Sequence, residues 1–153
     1  MLSREYFDQV RTSVADLRRA EEMVDYWESR ISGTGASLTA STGGIADPDR
    51  MTGKIAALWD AREKASRDVD ALVAAQDEAV LVIRQVGEPQ RAATALWRDV
   101  LLDRYVMAMS FSGISEKRGR SVSSVRRALD DALDWIDGGP GIDALVATAS
   151  KEA

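Results

Sequence analysis

The chain has 153 residues, 45% hydrophobic and 29% charged, and its 20 basic and 25 acidic side chains leave a net charge of −5. Such a balance suits a soluble chain that buries a core, as one domain or one domain plus an extension. Without cysteine there is no disulfide or thiolate metal site, and no run of about 18 apolar residues marks a membrane span.

From Ser3 to Ile31 the pattern is helical. Val10, Leu17, Val24 and Ile31 recur every seven residues, with Tyr6, Ser13, Ala20 and Trp27 in the intervening slot. That is an a/d seam with a weak position at Ser13, and it suits an amphipathic helix packed within its own chain or a coiled coil between chains. Residues 32–49, SGTGASLTASTGGIADPD, are dominated by Gly, Ser and Thr and read as a polar loop. They lack the GxxxxGK[ST] spacing of a phosphate-binding loop.

A second long helix is expected from Asp49 to Val86, where Ile55, Leu58, Ala65, Val69, Leu72, Ala79, Ile83 and Val86 keep 3–4 spacing and Arg62 and Gln76 interrupt the stripe. It would span about 55 Å at 1.5 Å per residue. Its natural partner is the first helix, folded back as an antiparallel hairpin. Gly87-Glu88-Pro89 breaks it, and Pro89 suits the first turn of a support helix running to Met107. Ala93, Leu96, Trp97, Val100, Leu101 and Tyr105 face inward there, and Trp97 and Trp135 read as core.

The stretch Leu101–Ile136 reads as a helix-turn-helix. Ser110 breaks the support helix, and a short helix with Ile114 and Ser115 follows. Gly119 sits where a turn needs positive φ. Ser121 is an N-cap for a second helix, with Val125 and either Ala128 or Leu129 turned inward. Lys117, Arg118, Arg120, Arg126 and Arg127 fall within eleven residues, with the single acid Glu116 just before them. In this motif the residues just after the cap enter a major groove. The candidate DNA-binding residues are therefore Lys117, Arg118, Arg120, Ser121, Ser123, Ser124, Arg126 and Arg127. The net charge of −5 opposes broad phosphate contact, so the cations must be segregated and binding steeply salt-dependent. Beyond Ile136, Gly138-Gly139-Pro140-Gly141 stops the helix, and 138–153 is expected to be a flexible tail.

On the residues Arg104-Tyr105, Ser110, Ile114-Ser115, Gly119, Ser121, Ser123-Ser124-Val125 and Ala132-Leu133, the last third resembles region four of bacterial sigma factors. The order of helical region, polar loop and sigma-like corner is similar to small phage regulators of the autolysin-regulator or late-gene-activator type. Two features depart from that pattern: Gly113 stands in place of a glutamate, and Arg118 and Arg120 occupy slots that are usually apolar.

The expected fold is all-α, a long antiparallel helical hairpin (1–87) followed by a helix-turn-helix bundle (88–137). The resemblance implies a DNA-binding phage or prophage transcription regulator acting at a promoter, with double-stranded DNA as its partner and RNA polymerase as a second one. A small-terminase-like packaging component that forms a homo-oligomer through the long helices is the alternative. No cofactor, metal or membrane partner is expected. MLSREYFDQVR lacks the apolar stretch of a signal peptide, so a cytoplasmic location is expected. With no histidine, cysteine or nucleophile motif, and with Asp130, Asp131 and Asp134 on one helix face, an enzyme is not expected.

Overall fold

The computed structural model describes residues 1–40 and 48–153, with side chains described for 1–33 and 52–153. Among the described residues all regular structure is helical, so the fold is all-α. The elements are α1 (Ser3–Ala40), α2 (Pro48–Arg84), α3 (Ala93–Leu101) continued by a π-helical turn (Leu102–Val106), α4 (Phe111–Arg118), α5 (Val122–Gly138) and α6 (Ile142–Glu152). No helix among the described residues is long and apolar enough to cross a membrane. The chain divides into two compact units, one of Asp16–Leu72 and one of Met1–Ala15 with Val73–Ala153.

The unit Asp16–Leu72 holds parts of α1 and α2. Asp16, Arg19, Ala20 and Met23 share an open groove with Asp68, Ala71 and Leu72. Further along α1, Glu28 accepts from Arg62 at 3.0 Å, an earlier residue of α2. That descending order is the one antiparallel segments give. Arg62, which interrupts the apolar stripe in the sequence, is thus satisfied by a carboxylate, and it also lies 5.7 Å from the Trp59 ring centre. The seam itself is only half-buried at Leu17, Val24, Trp27, Ile31, Leu58, Val69 and Leu72. Met23 (43%), Tyr26 (48%) and Trp59 (47%) stay exposed, because two helices alone cannot cover more than one stripe of each other.

The other unit carries the core. Phe7, Val82, Ile83, Val86, Trp97, Val100, Leu101, Tyr105, Ile114, Val125, Leu129, Leu133 and Ile136 form one buried cluster. Val125, Ala128, Leu129, Ala132, Leu133 and Ile136 are the apolar stripe of α5, at the 3–4 spacing that an amphipathic helix needs. Phe7 stacks on Tyr105 with ring centres 5.1 Å apart. The start of α1 is tied to α5 by polar contacts as well: Ser3 donates from its amide and its hydroxyl to the two oxygens of Asp137, both at 2.9 Å. Arg4 pairs with Asp130 at 3.0 Å.

Four expectations are corrected. The segment expected as a tail folds as α6, with Ile142, Leu145 and Ala149 buried in the core. Their i, i+3, i+7 spacing is a short helical stripe, and Gln85 adds a hydrogen bond from its side-chain amide to the Leu145 carbonyl at 3.0 Å. The expected loop 32–49 starts later, since α1 continues to Ala40. Extension from an already nucleated helix carries it past Gly33 and Gly35, each of which costs about 1 kcal/mol relative to Ala, and residues 41–47 of that loop lie outside the described residues. The support helix starts at Ala93 rather than Pro89. The Thr94 hydroxyl donates to the Glu88 carbonyl at 2.7 Å and accepts from the Glu88 amide at 3.0 Å, which holds 88–94 in turns. Gly87 sits there at φ +80°, with Thr94 Oγ1 only 2.5 Å from where a Cβ would lie. Finally, the support helix is not α-helical to its end, because Met107 donates to the Leu102 carbonyl at 2.9 Å, closing a π turn.

Candidate nucleic-acid interface

The corner is built by two hydroxyl caps and one glycine. Ser110 accepts from the Gly113 amide at 3.1 Å and opens α4. Gly119 ends α4 in the left-handed region, φ +63°, ψ +36°, a conformation that a Cβ would penalise. Ser121 accepts from the Ser124 amide at 3.1 Å and opens α5. Across the turn Arg120 donates its amide to the Ser115 carbonyl at 3.1 Å, and the Ser115 hydroxyl donates to the Arg120 carbonyl. Ser115 is therefore the small residue that ties the turn, and Ile114 and Val125 close its inner side.

The eight residues singled out from the sequence do not behave alike. Lys117 and Arg118 are committed within the chain. Asp103, on the π turn and fully buried, accepts from Lys117 Nζ and Arg118 Nε at 2.8 Å each. Arg118 also reaches Asp99 at 3.2 Å. Burial by itself would raise the Asp103 carboxyl, but hydrogen bonds from Arg118 and Lys117 outweigh it and hold the group below the usual carboxylate range. The bond to Asp103 raises Arg118 correspondingly. Arg118 thus has its own buried counter-ion. It clamps α4 onto the support helix instead of facing outward.

Arg120, Arg126 and Arg127 are exposed, and none forms an ion pair among the described residues. Ser123 is exposed with them, while Ser124 is half-buried and its amide is spent on the Ser121 cap. The exposed side of α5 turns acidic after Arg127, at Asp130, Asp131 and Asp134. Free positive charge on this helix is thereby confined to its first two turns.

Two residues that composition and spacing left aside join this surface. The guanidinium carbon of Arg126 lies 4.6 Å from the Phe111 ring centre, and that of Arg104 lies 4.1 Å from the same centre. Arg104 also donates to the Met109 carbonyl at 3.0 Å. The only hint in the sequence was an aromatic residue at the first position of α4, where a solvent-facing polar side chain would serve the helix equally well. Elsewhere in the unit, Arg91, Trp97, Asp131, Asp134 and Trp135 line an open cleft of about 370 Å³, with Arg91 5.0 Å from the Trp97 ring centre. Among the described residues no group of three His, Cys, Asp or Glu side chains is placed to hold a metal ion.

No family model matches this chain, and no curated protein and no solved structure matches it.

Proposed function

We propose that this chain is a duplex-DNA-binding transcription regulator that sets the first two turns of α5 into a major groove. The observation that carries this is the division of the corner's cations. Lys117 and Arg118 are bound to Asp103, whereas Arg120, Arg126 and Arg127 project from the turn and the start of α5 with no carboxylate partner among the described residues. Recognition helices present their N-terminal residues to base edges and phosphates. Arg126, Arg127 and Ser123 occupy those positions here, and Arg120 stands where the preceding turn meets the backbone. The acids that follow on α5 keep the rest of the helix off a polyanion and account for a net negative chain with a cationic tip.

Arginine pairing with a guanine edge contributes about 1–3 kcal/mol when bidentate. The double variant Arg126→Ala/Arg127→Ala is expected to weaken binding to the duplex upstream of its own gene by at least tenfold in a gel-shift titration. Unchanged affinity would remove this helix from the interface. The resemblance to sigma region four adds promoter action in a phage or prophage, and RNA polymerase as a further partner. Asp131 and Asp134, exposed and without an ion pair among the described residues, give a basic partner surface something to meet.

A second reading has its own observation. The unit Asp16–Leu72 leaves Met23, Tyr26 and Trp59 exposed over a half-buried seam, which suits a homo-oligomer of the small-terminase kind. Light scattering separates the two: a ring of eight or more subunits favours packaging, and a monomer or dimer favours regulation.

A further inference from the structure

Arg104 and Arg126 share one phenylalanine ring. With guanidinium carbons 4.1 and 4.6 Å from the Phe111 centre, the two cations lie within a single Debye length, about 10 Å at 0.1 M salt. Arg11, on α1, acts on Arg104 electrostatically. The Arg104 guanidinium is driven towards its neutral form first by burial and then by Arg11, with Arg126 acting in the same direction; Tyr105 and Asp8 oppose them. No member of this trio makes an ion pair among the described residues. Neighbouring cations are treated differently: Arg4 has Asp130, and Lys117 and Arg118 have Asp103.

Like charges held this close repel, and the fold keeps them there with specific contacts. The Met109 carbonyl anchors Arg104, and the Phe111 ring is a platform for both planar guanidinium groups through its negative face. Phe111 is also the first residue of α4, whose N-terminal end adds partial positive charge. An arrangement that concentrates positive charge, fixes its geometry and leaves it without an ion pair among the described residues is complementary to an oxyanion. Arginine forks match the tetrahedral oxygens of a phosphate in particular.

We propose that Arg104 and Arg126, gathered around Phe111, bind one backbone phosphodiester of duplex DNA, with Arg11 adding to the positive field. The contact surface therefore extends beyond the start of α5 onto the π turn. This deepens the reading given above and rests on it. The site supplies DNA contact that Lys117 and Arg118, bound to Asp103, do not.

The test uses the full chain and a 20-base-pair duplex. Binding is measured at several salt concentrations for the wild type and for Arg11→Gln, Arg104→Gln and Arg126→Gln, with Arg84→Gln, an exposed arginine at the end of α2, as control. In parallel, the arginine Nε–H resonances are followed by NMR while the duplex, or inorganic phosphate, is added. Arg104→Gln and Arg126→Gln are each expected to weaken binding and to reduce the slope of log K against log salt by no more than about 0.9, the value for the one phosphate contact they share, and Arg11→Gln to have a smaller effect. Arg84→Gln is expected to leave both unchanged, and the duplex to shift the Arg104 and Arg126 resonances. If Arg104→Gln unfolds, Arg126→Gln decides the matter. Duplex binding with wild-type slope in Arg104→Gln and Arg126→Gln overturns the site and leaves the DNA-binding reading standing. Absence of duplex binding, with inorganic phosphate still shifting Arg104 and Arg126, overturns the nucleic-acid source and that reading together, leaving a free-phosphate site. If the duplex does not bind and neither ligand moves these resonances, both proposals fall.

Discussion

Replacing Asp103 by Asn tests the clamp that holds α4 in place. The Asp103 side chain is fully buried and accepts from Lys117 and Arg118 at 2.8 Å each. Hydrogen bonds to charged groups contribute about 1.5–3 kcal/mol, and removing one partner of a wholly buried ion pair costs about 3–5 kcal/mol. The full figure does not apply, because the Lys117 and Arg118 side chains are 45% and 26% exposed. Water reaches both, and Arg118 keeps Asp99 at 3.2 Å. Asparagine also retains one acceptor oxygen. The expected loss is therefore about 2–3 kcal/mol, which lowers a urea midpoint by about 1–1.5 M at a slope near 2 kcal/mol per molar.

The difference is also pH-dependent, with a definite sign. The folded Asp103 carboxyl titrates below its unfolded value of about 3.9. Its stabilisation is thus complete above that value and is lost as pH falls through the folded one. Wild type and variant are expected to differ most near neutrality and to converge as the pH drops below 4. Trp27→Phe and Trp59→Phe in both chains leave fluorescence from Trp97 and Trp135 alone, so the transition reports the unit that contains Asp103. Equal midpoints at pH 7, or a gap that persists undiminished in acid, would refute the clamp.

Three further substitutions probe other parts of the same unit. Leu145→Ala is expected to destabilise it by about 2–4 kcal/mol, the usual cost of deleting a buried leucine, and no change in the urea midpoint would mean that α6 adds nothing to the core. Ala108 is the one non-glycine residue at positive φ (+53°) among the described residues, so Ala108→Gly is expected to raise the thermal midpoint by relieving about 0.5–1 kcal/mol of left-handed strain. A lower midpoint would show that the alanine is not strained. Ser121→Ala removes the cap on α5 and is expected to cost about 1 kcal/mol, read as faster amide exchange at Ser124 and Val125, with Ser121→Asn restoring the wild-type rates.

The sequence carried the local grammar of this fold well. Caps and turns depend on two or three neighbouring residues, so Gly119 and Ser121 were readable as a left-handed stop and an N-cap. Long amphipathic stripes announced α1, α2 and α5 for the same reason. What escaped depends on distance along the chain. Asp103 meets Lys117 and Arg118 fourteen and fifteen residues away, and it faces them through a π turn that no periodic pattern signals. Without that carboxylate in view, Lys117 and Arg118 read as free cations. The α6 stripe was missed because Ile142, Leu145 and Ala149 follow a Gly-Gly-Pro-Gly break and are spread among small residues. Arg104 and Arg126 look unrelated in the sequence, twenty-two positions apart, until Phe111 brings them to one ring.

The central claim is that the cationic tip of α5 and its preceding turn grip duplex DNA. Its most direct measurement is the anisotropy of a labelled duplex titrated with the full chain across a salt series, beside the triple variant Arg120→Gln/Arg126→Gln/Arg127→Gln. Steeply salt-dependent binding is expected, with the slope of log K against log salt shallower by about 2–3 in the triple variant. Binding that is equally tight and equally salt-dependent in both chains, or no binding by the wild type at low salt, would contradict it.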